Sequence, residues 1–250
     1  MKPKTILCLD VGNTRLKWGV CQLENLSFQQ QGVISNVTGF GSDDLSTEFS
    51  GLDSLPVWIS SVSSEQIIQL LSDWFLENWG IRVNCISADC NLYASLNGYK
   101  KPMDLGVDRW LAMVAAKQCA SSAYCVVDAG TAITIDVVNA EKHVGGVIMP
   151  GREIMLNALR VNTANISSKE GRVVALADNT ADGVTSGVNM CIEGAVNEAL
   201  RRIRCEYSNL LIILTGGDAS LIEAGCDFEV LVKKDLVLQG IGLIAREMYA

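Results

Sequence analysis

The run Asp10-Val11-Gly12-Asn13 recurs in the second half of the chain as Asp128-Ala129-Gly130-Thr131. Each copy ends an apolar, β-branched stretch, Thr5–Gly12 and Ala123–Gly130, and a second such stretch follows at once, Arg15–Leu23 and Ile133–Val138. Short β-branched runs broken by Gly and Asn predict strands joined by hairpins. Further strands are expected around Phe28–Ile34 and His143–Met149, so each half opens with a three-strand meander. Helices and strands then alternate. In the first half come a strand at Pro56–Val62, a helix at Ser64–Trp79 with Ile67, Ile68, Leu71, Trp74 and Phe75 at helical spacing, and a strand at Ile81–Ser87. In the second half, helices are expected at Val107–Cys119, Arg152–Asn162, Gly187–Arg202 and Val237–Met248, with a strand at Leu210–Leu214. A duplicated meander followed by alternating elements predicts an α/β protein of two related domains with mixed sheets, flanking helices and a cleft between them. The loop-like stretch 88–106, with Asn91, Asn97, Gly98 and Pro102, divides the chain into domains at 1–105 and 106–250.

Composition narrows the function. A formal charge of −8 and a pI near 4.7 argue against a protein that coats nucleic acid, whose affinity comes from clustered Lys and Arg. No stretch reads as a membrane span, and the apolar run Ile6–Leu9 is too short for a signal-peptide core, so the expected setting is the cytoplasm. Nine cysteines without a C-x-x-C pair read as free thiols, with Cys8 and Cys125 inside strands. His143 is the chain's one histidine, which leaves little for a His-based zinc site or a serine triad.

The residues with chemical promise cluster at turns. A glycine turn lets backbone N–H groups approach a phosphate, and Asn13, Thr14 and Lys17 add polar and positive groups to the first one. Asp10 is placed to hold Mg²⁺ directly or through water. One D-x-G turn alone is more often an ordinary hairpin. Two such turns can grip one nucleotide, with Thr131 as a hydroxyl donor and Asp128 as a cation ligand. A third turn, Thr215-Gly216-Gly217-Asp218, follows an apolar strand and precedes a helix, which allows close backbone approach to an adenosine. At Gly106–Arg109 a helix begins; Asp108 could accept a substrate proton and Arg109 could pair with a carboxylate or phosphate. Equally, Asp108 could simply favour the helix dipole while Arg109 is solvated.

Taken together, Asp10–Lys17, Leu105–Trp110, Val127–Asp136, Gly145–Gly151 and Leu214–Ala219 resemble the motifs of the type III pantothenate kinases, also described as the Bvg accessory factor family. The motifs occur in the family's order across nearly the whole chain, with Val107 where the family usually has Ala. The resemblance implies the acetate kinase/hexokinase/actin superfold: two ribonuclease-H-like domains, each with a mixed five-stranded sheet. It implies that Asp10, Val11, Gly12, Asn13, Thr14, Arg15, Leu16 and Lys17 bind the ATP phosphates, with Thr131, Gly216 and Gly217 also at the nucleotide. Tyr99, Gly106, Val107, Asp108, Arg109 and Thr180 would line the pantothenate pocket, and Asp108 would be the proton acceptor.

By the same resemblance Asp128 binds K⁺ or NH₄⁺, Mg²⁺ accompanies ATP near Asp10, and the protein is a homodimer. The helix starting near Gly106 is expected to help form the dimer interface, with Trp110, Met113 and Lys117 at one edge. Two other readings share these turns: a kinase of a sugar or another small alcohol, and a non-catalytic regulatory protein of the same fold.

Overall fold

The computed structural model describes residues 2–36, 39–120, 122–164, 166, 169 and 171–250. Among them the chain forms two compact units, Met1–Cys119 with Asp235–Ala250, and Ala120–Lys234.

The first unit begins with strands β1 (Thr5–Val11), β2 (Arg15–Gln22) and β3 (Phe28–Ser35). Helix α1 (Ser42–Glu48), strand β4 (Val57–Ser61), helix α2 (Glu65–Trp79), strand β5 (Asn84–Cys85) and helix α3 (Val107–Ala116) follow. The second unit holds β6 (Ala123–Ala129), β7 (Ala132–Asn139), β8 (Lys142–Pro150), α4 (Arg152–Asn162), α5 (Thr180–Glu206), β9 (Leu211–Thr215), α6 (Ala219–Gly225) and β10 (Leu231–Val232). Helix α7 (Leu236–Met248) returns to the first unit.

The duplication is exact in topology. The first sheet runs β3-β2-β1-β4-β5 and the second β8-β7-β6-β9-β10, five strands each. In both, the meander is antiparallel and the later strands join the first one in parallel. Each second strand breaks register at its sixth residue, between Val20 and Cys21 and between Val137 and Val138.

Alternation along the strands sorts their faces. Leu7, Leu9 and Val11 of β1 join Leu45 of α1 and Leu71, Trp74 and Phe75 of α2 in one core. Ile6, Cys8 and Asp10 therefore face the opposite side, where α7 packs on β1 and α3 on β4. In the second unit, β6, β7 and β9 pack against α4, α5 and α6 around Val127, Ile135, Ile192 and Leu214.

These units differ from the division expected at residues 105 and 106. Helix α3 is paired with α7, and the two approach so closely that a Cβ on Gly240 would lie 2.4 Å from the Leu111 carbonyl oxygen. Both helices thus belong with the first sheet. The same packing removes α3 as a dimer surface, because Trp110 and Met113 are fully buried within the chain.

Three elements departed from their expected bounds. Helix α1 has no apolar period to announce it, since Leu45 is its one buried residue and the rest of its surface is polar. Strand β5 is two residues instead of seven, because Gly80, at φ 68, ends α2 and Ile81 N–H bonds back to Phe75. Helix α5 begins seven residues early: its first turns bury Asp182, Thr185 and Ser186, which hide the apolar period.

Candidate active site

The turn after β1 is shaped by register. Asp10 pairs with Lys17 and Val11 with Leu16, and the Gly12 N–H closes the hairpin on the Arg15 carbonyl at 2.9 Å. Gly12 therefore does not offer its own N–H to a ligand; Asn13 and Thr14 stand at the tip. Val11 and Leu16 are fully buried in the core, so only their backbones are available at the turn. Asp10 and Lys17 are half-buried, whereas Asn13 and Arg15 are exposed. Asp10 is also the parallel register partner of Ser60, whose fully buried hydroxyl has no hydrogen-bond partner among the described residues.

Two residues that the sequence does not mark as functional support the candidate site. Asn36 donates its side-chain amide to the Gly12 carbonyl at 3.1 Å. Asn97 donates to the carbonyls of Ala88 and Pro102, both at 2.9 Å, and accepts from the Tyr99 N–H at 3.2 Å, which sets the loop carrying Tyr99. Asn97 had a visible signal, its place in an Asn-Gly loop; Asn36 had none beyond ending a strand.

Tyr99, Asp108 and Arg109 come together at the start of α3. Arg109, only 7% exposed, donates from Nη1 to the Tyr99 hydroxyl at 2.9 Å, and its guanidinium lies 5.6 Å from the Tyr99 ring centre. Asp108 Oδ1 accepts the Arg109 N–H at 2.8 Å, so the carboxylate meets one of the helix's first unpaired donors. A Cβ at Gly106 would lie 2.5 Å from that same oxygen; glycine leaves room for the folded-back carboxylate. Val107, in contrast, turns its side chain into the core. A buried guanidinium beside a tyrosine and a half-exposed carboxylate suits an acidic substrate that also carries a hydroxyl.

In the second unit three segments converge on the end of β6. Gly130 N–H closes its hairpin on Ala132 at 3.1 Å, leaving Thr131 exposed at the tip. Gly151 N–H donates to the Thr131 carbonyl and Asp218 N–H to the Ala129 carbonyl, both at 3.0 Å. Gly216, at φ 98, could carry no side chain: a Cβ there would lie 2.4 Å from the Ala129 oxygen. Asp128, Thr131, Gly216 and Gly217 are thus neighbours around one strand end. The second hairpin is one residue shorter than the first, so Thr134, not a lysine, is the register partner of Asp128.

Thr180 stands on another element, exposed at the first position of α5 behind the cap formed by Asn179 Oδ1 and the Asp182 N–H. Asp182 also accepts from Arg172 N–H at 2.8 Å and Asn179 Nδ2 at 3.0 Å, while Thr185 and Ser186 accept from the N–H groups of Gly171 and Val174. These bonds hold the Asp182 carboxyl below the usual carboxylate range, the Arg172 N–H contributing most.

The type III pantothenate kinase family model matches residues 6–202. This chain belongs to that family. A type III pantothenate kinase of Aromatoleum aromaticum is 34% identical over 243 residues, covering 97% of this chain and 98% of the relative. One from Azoarcus is 32% identical over 241 residues, covering 96% and 90%. Among solved structures, a Baf family transcriptional activator from Campylobacter jejuni matches with TM-score 0.59 and 21% identity over 97% of this chain and 98% of its own. The ADPNP-bound activator of 2-hydroxyisocaproyl-CoA dehydratase from Clostridium difficile matches with TM-score 0.54 and 14% identity, covering 98% and 95%. At those identities the two structures speak to the fold alone, and in this chain that fold is a pair of mixed five-stranded sheets, as the duplicated turns lead one to expect.

Proposed function

We propose that this family member transfers the γ-phosphoryl group of ATP to the primary hydroxyl of pantothenate, giving 4′-phosphopantothenate, the first step of coenzyme A synthesis. The observation that carries the residue assignment is the Tyr99–Arg109–Asp108 group. Arg109 would pair with the pantothenate carboxylate, and Tyr99 would fix the guanidinium plane. Asp108 would orient the hydroxyl and accept its proton as the oxygen attacks phosphorus. Because phosphoryl transfer proceeds through a loose transition state, positioning and charge neutralisation would supply most of the rate.

The nucleotide side of this reading assigns the phosphates to the Asp10–Lys17 turn and to Thr131, with Gly216 and Gly217 at the nucleoside. Asp10 suits a Mg²⁺ ion: one half-exposed carboxylate with Lys17 opposite matches a metal held mainly by phosphates and water. When bound, Mg²⁺ would neutralise charge on the β- and γ-phosphates. Asp128, near the end of β6 beside the Gly130 hairpin, would offer carboxylate oxygens, hard donors of the kind that K⁺ or NH₄⁺ takes. Thr180 completes the assignment as a pantothenate contact.

We read the protein as a homodimer that meets through β8 and α4 rather than α3. Val144, Val147 and Ile148 on the edge strand β8, with Ile154 and Val161 on α4, are apolar and exposed. An edge strand flanked by apolar side chains is a surface that a second copy can cover. Light scattering of the wild type and Ile148→Lys checks this: the expected result is a dimer that the lysine splits, and a monomeric wild type contradicts it. No helix among the described residues is long and apolar enough to cross a membrane. With nine free cysteines, the chain suits the reducing cytoplasm.

A coupled ADP-release assay with pantothenate, a panel of sugars, and potassium present or absent tests the substrate. Turnover with pantothenate, raised by potassium, is expected. Turnover with a sugar and none with pantothenate would refute the assignment.

A further inference from the structure

The residue that leaves the third strand of each meander ties down the turn at which the first strand ends. After β3, Asn36 N–H donates to the Thr14 carbonyl at 2.8 Å; after β8, Gly151 N–H donates to the Thr131 carbonyl at 3.0 Å. The tie is repeated in both copies, like the strand order and the bulge. In the first unit a side chain is added to it. Asn36, 8% exposed, also donates from Nδ2 to the Gly12 carbonyl at 3.1 Å. One residue thus holds two carbonyls, on either side of the tip formed by Asn13 and Thr14.

A trans peptide sets its C=O and N–H on opposite sides, and none of the described peptide bonds is cis. Holding the Gly12 carbonyl toward Asn36 therefore turns the Asn13 N–H away from Asn36. The same geometry at Thr14 turns the Arg15 N–H away. The sense matters because a phosphate oxygen is attracted by an N–H and repelled by a carbonyl oxygen. Glycine places little restraint on the adjoining peptide, so an unheld Gly12–Asn13 unit could rotate and present the wrong group. The Gly12 N–H cannot substitute, since it is spent on Arg15.

We propose that Asn36 is a positioning residue for phosphate binding: its side-chain amide fixes the Gly12–Asn13 peptide so that the Asn13 N–H faces the nucleotide phosphates. Gly151 performs the backbone half of this task at Thr131. There a side chain is barred, because a Cβ at Gly151 would lie 2.4 Å from the carbonyl oxygens of Gly130 and Thr131. This inference rests on the reading of Asp10–Lys17 as the phosphate turn.

The test compares wild type, Asn36→Ala, Asn36→Gln, Asn36→Asp and Lys17→Ala for calorimetric binding of ATP and adenosine, for KM of each substrate, and for thermal unfolding. Loss of one hydrogen bond that orients a donor should weaken ATP binding about threefold to tenfold in Asn36→Ala. KM for ATP should rise by the same factor, with adenosine affinity and KM for pantothenate within about twofold of wild type. Asn36→Gln, which keeps the donor, should recover part of the loss, and Asn36→Asp, which sets a carboxylate against the Gly12 carbonyl, should lose more. If Asn36→Ala does not fold, the Gln and Asp variants carry the same comparison. Weakened ATP binding in Lys17→Ala with none in folded Asn36 variants would overturn this proposal alone; no loss in either would overturn the phosphate-turn reading with it. An equal loss for ATP, adenosine and pantothenate would mark Asn36 as merely structural and overturn the proposal as well.

Discussion

Arg109 reaches the Tyr99 hydroxyl at 2.9 Å across ten residues of chain, and this bond joins a loop to the first turn of α3. The guanidinium is almost wholly buried, so the phenol both anchors it and satisfies part of its donor set.

Tyr99→Phe removes that acceptor while keeping the ring under the guanidinium. Hydrogen bonds to charged groups contribute about 1.5–3 kcal/mol, so KM for pantothenate should rise roughly tenfold or more, with KM for ATP little changed. Steady-state kinetics with each substrate varied in turn gives the answer. An unchanged KM for pantothenate would show that Arg109 is held well enough without the phenol.

Gly216 and Gly194 should respond in opposite directions to alanine. Gly216 sits at φ 98, and its Cβ would meet the Ala129 backbone at 2.4 Å, so Gly216→Ala should destabilise by about 2–4 kcal/mol. Gly194 lies exposed inside α5 with open space around it, so Gly194→Ala should stabilise by about 0.5–1 kcal/mol. Urea unfolding of the two variants beside wild type measures both. Equal effects would mean that the turn at Gly216 can relax.

Asp182 gives an acid-side prediction. Its carboxyl is held below the ordinary value by the Arg172 N–H, then by Asn179 and the Arg172 guanidinium. A depressed native pKa stabilises the fold above the unfolded pKa of about 4, and the contribution is lost as pH falls through the native value. The melting temperature of wild type should therefore exceed that of Asp182→Asn by a constant margin from about pH 5 upward, and the margin should shrink toward pH 3. A margin that does not change with pH would show that the Asp182 carboxyl titrates alike in the folded and unfolded chain, contradicting its depressed native value.

Much of this fold could be read from the repeated D-x-G turns, because a hairpin at the end of an apolar strand is a local feature with a local signature. The two meanders, α2, α4 and α7 fall close to their expected bounds for that reason. Only the second half of α5 carries a helical period, because Asp182, Thr185 and Ser186 face inward to hold residues 171–174, and a polar residue on a buried face erases the pattern. The unit boundary has no local signal, because the partner of α3 is α7, more than a hundred residues later in the chain. At the site, Asp10, Asp108 and Asp128 stood out by motif. Asn36 and Ser60 did not, since their roles depend on which strands lie side by side.

If Asp108 accepts the proton of the attacking hydroxyl, as proposed, Asp108→Asn should separate chemistry from folding. The amide oxygen can still accept the Arg109 N–H, so the first turn of α3 should keep its support and the melting temperature should barely move. Turnover should fall by ~10²–10⁴-fold, with calorimetric ATP affinity within about twofold of wild type, since a general base contributes in that range. Near-normal turnover in the folded variant would contradict it and reduce Asp108 to a helix-terminal carboxylate.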